Sequence, residues 1–91
     1  MKFKELLKIL PDEERITINI DNANGYTYYS YFRGTVRTLK ESQKELLLDF
    51  DVDWIWSQAV RDEERTDYTD NTIVFTTEVK VTLFDKEHKI I

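Results

Sequence analysis

The 91-residue sequence has no cysteine, one histidine, one proline and two glycines. The absence of cysteine excludes disulfide bonds, thiolate metal ligands and thiol nucleophiles. Gly25 and Gly34 are too few for a glycine-rich phosphate loop, and no GxGxxG, P-loop or GxSxG motif is present. The one histidine, His88, lies among charged residues near the C-terminus without a nucleophile motif beside it. We therefore expect a binding protein without catalytic residues, bound metal or cofactor.

The sequence also lacks a long apolar segment and an excess of basic residues. No stretch approaches the roughly 18–20 apolar residues that span a bilayer, and the lysine-interrupted N-terminus is unlike a signal peptide. We therefore expect a protein of the cytoplasm with no membrane partner. The net charge is −5, from 13 basic and 18 acidic residues, which argues against direct nucleic-acid binding.

Hydrophobic residues make up 41% of the chain, which suffices for one α+β domain spanning residues 1–91. Apolar periodicity predicts the element order α-β-β-α-β-β. The sequence Asn24-Gly25 predicts a tight turn between the first two strands. We expect an antiparallel sheet of about four strands with the helices packed on one face. The predicted helices cover residues 2–10 and 39–48, and the predicted strands cover residues 16–20, 26–32, 49–56 and 72–84.

Tyrosines are concentrated in the predicted second strand. Because side chains alternate along a strand, Tyr26 and Tyr28 share one face, and Tyr29 and Tyr31 share the other, unless a bulge intervenes. One set is expected to pack on the core, and exposed tyrosines suit a protein interface. Alternatively, both sets are structural and a helix or a second copy covers the outer one. Tyr28, Tyr29 and Tyr31 are the candidate partner-binding residues here.

Three aspartates, Asp49, Asp51 and Asp53, alternate with apolar residues in the predicted third strand. This spacing places the three carboxylates on one face, where they form either a solvated surface, a partner-binding surface or a Mg²⁺ or Ca²⁺ site. Trp54 and Trp56 continue the pattern with the opposite parity, and at least one of them is expected to anchor the core.

A second group of acidic residues follows in a charged loop. Segment 49–70 holds eight acidic residues and two arginines, a net charge of 2 − 8 = −6. The loop is either simply solvated or, with the three aspartates, an array of carboxylates that imitates DNA phosphates and enters the basic groove of a nucleic-acid enzyme. The candidate residues in the loop are Asp62, Glu63, Glu64 and Asp67.

The segment Met1 to Leu10, followed by the alternating strand Ile16 to Ile20, resembles the start of many small proteins of bacteriophages and mobile elements, especially from Firmicutes. They share a short leucine-rich helix that leads into an alternating strand. The resemblance implies a small accessory protein of a phage or prophage, located in the cytoplasm of a bacterial host. Small proteins of this kind include inhibitors of host defence such as anti-CRISPR proteins. It carries no catalytic motif.

The leading hypothesis is a non-enzymatic phage or mobile-element protein that inhibits a host protein with a basic surface. A CRISPR nuclease or another nucleic-acid-handling defence factor is the kind of partner expected. The alternative is a structural module that acts as a homodimer, paired through a strand edge or the tyrosine face. A metal-dependent enzyme using the three aspartates is the least favoured hypothesis.

Overall fold

The computed structural model describes residues 1–42 and 44–90, which form two α-helices, a 3-10 helix and four strands. In chain order the elements are α1 (Phe3–Ile9), β1 (Arg15–Asn22), β2 (Thr27–Thr35), α2 (Val36–Glu41), the 3-10 helix (Glu45–Asp49), β3 (Asp51–Arg61) and β4 (Phe75–Asp85).

The four strands form one sheet in the order β2-β1-β4-β3. β1 pairs antiparallel with β2, and β3 pairs antiparallel with β4, but the two central strands β1 and β4 run parallel. The α+β class and four strands agree with the sequence prediction, whereas the all-antiparallel sheet was wrong. Parallel strands need a long connection, and here β2, α2, the 3-10 helix and β3 all lie between β1 and β4 in the chain. The segment with α2 and the 3-10 helix carries the chain from β2 at one edge of the sheet to β3 at the other.

The element order also departs from the prediction between β2 and β3. Instead of one helix over residues 39–48, α2 ends at Glu41 and a separate 3-10 helix follows. The hydroxyl of Thr35 caps α2 by accepting a hydrogen bond from the backbone N–H of Thr38 at 3.1 Å, which starts the helix earlier than its leucines suggested. Asp49 therefore lies in the 3-10 helix, and β3 begins only at Asp51.

The turn between β1 and β2 forms where the sequence predicts it. The side-chain oxygen of Asn22 accepts hydrogen bonds from the backbone N–H groups of Asn24 and Tyr26, at 2.9 and 3.1 Å. Gly25 has φ of +81°, a left-handed conformation that glycine adopts without steric cost. The antiparallel pairing on either side confirms the predicted hairpin.

The hydrophobic core lies between one face of the sheet and the helices. Alternate residues of β1 and β4 point into it, and α1, α2 and the 3-10 helix cover them. The buried apolar side chains are Phe3, Leu6, Leu7, Ile16, Ile18, Ile20, Val36, Leu39, Leu47, Phe50, Val79, Val81 and Leu83. We call this the covered face of the sheet and the opposite one the open face.

The molecule is elongated because the β3–β4 hairpin extends beyond the other two strands. Its extents are 51 × 26 × 20 Å, and its radius of gyration of 14.9 Å exceeds the roughly 12 Å expected for a compact chain of this length. Residues 59–77 lie beyond the end of β1, whose first residue, Arg15, is level with Glu78 and Gln58. We call this extension, together with the part of β3 that leads to it, the arm (residues 54–77), and the described residues of 1–53 and 78–90 the body. No residue from 51 to 77, all of which the structure describes, is buried.

Candidate binding surfaces

The open face of the sheet presents rows of side chains that cross all four strands. Strand register sets which residues share a row, since directly paired residues point to the same face. Among the described residues no helix covers this face. Read from β2 through β1 and β4 to β3, one row consists of Arg33, Thr17, Lys80 and Trp56. The adjacent row, read in the same direction, consists of Thr35, Arg15, Glu78 and Gln58.

Trp54 and Trp56 form an exposed aromatic pair on the open face. Their side chains are 58% and 40% exposed, and their ring centroids lie 5.6 Å apart. The ammonium group of Lys80 lies 5.4 Å from the Trp56 ring, within the range of a cation–π interaction. The expectation that one tryptophan anchors the core was wrong. The reason is that both face the uncovered side of an edge strand, opposite Thr82 and Lys80.

A buried carboxylate lies where the arm joins the body on the same face. Glu78 is only 6% exposed, and the hydroxyl of Thr17 donates a hydrogen bond to it. Strand register places Arg15 directly beside Glu78, and Arg33 beside Thr17. Loss of the Thr17 hydroxyl would leave a buried carboxyl oxygen without this donor, which costs free energy, so the pair stabilises the pairing of β1 with β4.

The tip of the arm, residues 61–72, carries a polar network. A guanidinium nitrogen of Arg61 donates to the Tyr68 hydroxyl at 2.9 Å, and that hydroxyl donates to Glu63 at 2.9 Å. Asp67 accepts a hydrogen bond from the backbone N–H of Thr69 at 2.9 Å. Glu63, Glu64 and Asp67 are exposed, while Asp62 is partly buried. The tip is therefore an ordered acidic surface.

Hydrogen bonds also fix the last turn of the tip. Those from the Thr72 hydroxyl and backbone N–H lower the pKa of Asp70 below its ordinary value. The backbones of Asp67 and Thr72 bond to each other in both directions, at 2.8 and 2.9 Å. Residues 67–72 thus form a closed turn at the end of the arm.

The three aspartates of residues 49–53 and the acidic residues of the tip, which we expected to form one array, lie far apart in the structure. Asp51 and Asp62 lie at opposite ends of β3, about 33–36 Å apart along an extended strand. Lys2 pairs with Asp51 at 3.0 Å, and Lys4 pairs with Asp49 at 3.4 Å. The lysines of α1 and its N-cap therefore neutralise this end of β3, which leaves the tip as the main acidic surface of segment 49–70.

The three aspartates do not form a metal-binding cluster. Asp49 belongs to the 3-10 helix, Asp51 to β3, and Asp53 to the bulge between Val52 and Trp54. Throughout residues 1–42 and 44–90, no three histidine or acidic side chains lie close enough to hold one ion. The one-face arrangement predicted for them was wrong because the strand begins two residues later and contains a bulge.

The tyrosines lie on β2, at the opposite edge of the sheet from β3. The sequence did not decide whether this strand contains a bulge, and the structure has one at Ser30. Ser30 has φ of +51°, and its N–H donates to the side chain of Asn19 at 2.8 Å. The bulge allows the Tyr28 and Tyr31 rings to meet edge to face, with centroids 5.4 Å apart. Tyr29 is the most exposed of the group, at 74%.

Sequence reasoning missed the exposed apolar residues of the arm as a group. Ile55, Ile73 and Phe75 are 44–61% exposed in addition to the two tryptophans. The signal was present in residues 54–60, which are uncharged and carry apolar side chains of both parities. That pattern suggests a strand buried on both faces, whereas β3 is an edge strand.

Comparisons with protein-family models, with curated proteins and with solved structures gave no match. The function is therefore argued from the surfaces themselves. Within the described part of the chain, no helix is long and apolar enough to cross a membrane.

Proposed function

We propose that this chain is a non-catalytic protein of a phage or mobile element that binds and inhibits a host protein with a basic surface. The observation that supports this most is the composition of the arm. Residues 54–77 contribute no side chain to the buried core, yet they expose six large apolar residues and carry five acidic side chains. A segment that adds no side chain to its own buried core, yet exposes large apolar residues, is well placed to bind another molecule.

Two features of the arm contribute differently to an interface: one supplies apolar contact area and the other supplies charge. The tryptophan pair offers large, rigid apolar area, and such residues dominate binding energy when a partner covers them. The acidic tip, with Glu63 and Glu64 at its surface, supplies the charge that accelerates encounter with a basic partner. The two lie on one hairpin, so a single partner can contact both.

The chemistry of the tip indicates the class of partner. A groove that binds nucleic-acid phosphates is a basic surface of the kind that a row of carboxylates fits. Occupation of that groove excludes nucleic acid and so inhibits the host protein. A CRISPR nuclease or another nucleic-acid-handling defence factor is such a partner. In this proposal the exposed tyrosines of β2 form a second contact, separate from the arm.

The test replaces two tip carboxylates by their neutral amides. We expect Glu63→Gln/Glu64→Gln to weaken binding to a partner purified from the host by about tenfold at low salt, and to flatten the salt dependence. Glutamine at position 63 retains an acceptor for the Tyr68 hydroxyl. Calorimetry at two salt concentrations, with and without competing DNA, measures both effects.

The matched control is Glu41→Gln/Glu45→Gln, which removes the same charge from exposed residues on the helical side of the molecule. If the control weakens binding as much as the tip variant, net charge and not the tip attracts the partner. If DNA and the protein bind the partner together, groove occupation is wrong.

A further inference from the structure

The outer edge of β3 is open over most of its length. The backbone of the first residues is covered, because Val52 donates to the carbonyl of Met1 at 2.8 Å and Phe3 donates to that of Phe50 at 2.9 Å. From Asp53 to Arg61, no described residue other than those of β4, on the inner side, pairs with the strand. Nine residues, about 30 Å of strand, thus present an unpaired edge.

This edge lacks the features by which proteins usually prevent strand-to-strand association. Residues 54–60 contain no charge, proline or glycine, and they include Trp54, Ile55 and Trp56, each at least 40% exposed. The other sheet edge, β2, is interrupted by the bulge at Ser30 and carries Arg33. A long, uncharged, apolar edge is a template for another strand.

We propose that this edge pairs antiparallel with the same edge of a second copy of the chain, with Ser57 on the two-fold axis. The register follows from the free segment, since its midpoint between Asp53 and Arg61 is Ser57. Each aspartate then lies at the level of the other copy's arginine, at both ends of the interface. The smallest polar side chain of the strand occupies the axis, where identical residues meet.

The remaining pairs in this register are also complementary. With Ser57 on the axis, directly opposed residues have numbers that add to 114. On the open face Trp54 lies opposite Val60, and Trp56 lies opposite Gln58. On the covered side Ile55 lies opposite Ala59. Each tryptophan therefore lies across from a smaller side chain that it can cover. The self-complementary charges and sizes identify a second copy as the occupant of this edge.

The dimer goes beyond the proposed function and does not depend on it. Edge pairing creates an eight-stranded sheet with the two tryptophan pairs near its centre on the open face. The antiparallel arrangement directs the two acidic tips to opposite ends, where each remains accessible. Loss of dimerisation and loss of tip-mediated binding are therefore separable by different variants.

Light scattering on the purified chain tests the dimer. We expect a mass of twice the 11.0 kDa chain that falls towards one chain on dilution over about a hundredfold range. Ser57→Lys places two ammonium groups opposite each other and raises the dimer dissociation constant by at least about fivefold. Tyr29→Lys, on the β2 edge, leaves it unchanged. A monomer at every concentration, or equal effects of the two lysines, overturns the proposal.

Cysteine cross-linking tests the register independently of charge. Since the chain has no cysteine, Ser57→Cys introduces one thiol per copy, and mild oxidation is expected to yield a disulfide-linked dimer rapidly. Ala59→Cys is the matched control on the same exposed strand, because in this register the two thiols that it introduces are about 13 Å apart. Equal cross-linking at both positions contradicts the register.

A charge exchange gives a third readout. Asp53→Arg sets two arginines side by side at each end and is expected to weaken the dimer while leaving the hydrogen bond from Arg61 to Tyr68 in place. The double change Asp53→Arg/Arg61→Asp restores opposite charges and is expected to restore dimer strength. Failure of the double variant to recover dimerisation overturns the pairing of these two residues.

Discussion

The body holds all thirteen buried apolar side chains of the described residues, whereas the arm holds none and exposes six of the twelve large apolar residues that face solvent. In the body, helices cover one sheet face and close the core. In the arm, residues 54–58 form the edge of the four-stranded sheet, and residues 59–77 continue beyond β1 and β2 as a two-stranded ladder, which has little stability of its own. The difference indicates that the body determines whether the chain folds and that the arm is available for contacts with other molecules.

The largest expected effect is a difference in the free energy of unfolding between substitutions at two residues of β4 that share a face. Leu83 is fully buried in the body and Phe75 is 61% exposed in the arm. We expect Leu83→Ala to lower the free energy of unfolding by about 3 kcal/mol, through lost burial and a residual cavity. Phe75→Ala is expected to cost under about 1 kcal/mol. Urea unfolding measures both, and similar costs would contradict the division into body and arm.

A smaller effect is expected at the junction of the two regions. Thr17→Val removes the hydroxyl that donates to the buried Glu78 carboxylate, and we expect a loss of about 1–3 kcal/mol. The double variant Thr17→Val/Glu78→Met removes the buried polar pair together and is expected to regain most of that loss. If the single variant unfolds at the urea concentration of the unmodified chain, the pair does not stabilise the pairing of β1 with β4.

The sequence was sufficient for the elements in which local pattern and packing agree. The alternation of Ile16, Ile18 and Ile20 matches their burial on one face, and the Asn24-Gly25 turn forms as its chemistry requires. These features depend on neighbours in the chain. They gave the α+β class, the first helix and the hairpin.

The sequence was insufficient to predict features that depend on where a strand lies in the sheet, such as the exposure of its side chains and its pairing partner. Trp54 and Trp56 have the apolar character of core residues, and only the knowledge that β3 is an edge strand places them at the surface. The parallel pairing of β1 with β4 joins segments separated by most of the chain, which no local pattern specifies. For the same reason, the sequence did not predict the ion pairs of Lys2 with Asp51 and of Lys4 with Asp49. The predicted acidic array therefore included aspartates that lysines neutralise.

The smallest effect compares one aspartate in each region. In the body, the hydrogen bond and the charge of Lys40, 2.8 Å away, lower the pKa of Asp12 below its ordinary value. In the arm, hydrogen bonds from Thr72 lower the pKa of Asp70. A carboxyl whose pKa is lower in the folded state stabilises the fold above its unfolded pKa. That contribution is lost as the pH falls through the folded value.

Salt distinguishes the two causes, because it screens an exposed charge but affects hydrogen bonds from a neutral group much less. Carboxyl titration by NMR is expected to show the pKa of Asp12 rising towards its ordinary value at high salt, and likewise in a Lys40→Met variant. The pKa of Asp70 should respond to Thr72→Val and little to salt. An ordinary pKa for Asp70 in the unmodified chain would mean that the tip is not closed as a turn, and the arm would then present its acidic residues on a flexible loop rather than an ordered surface.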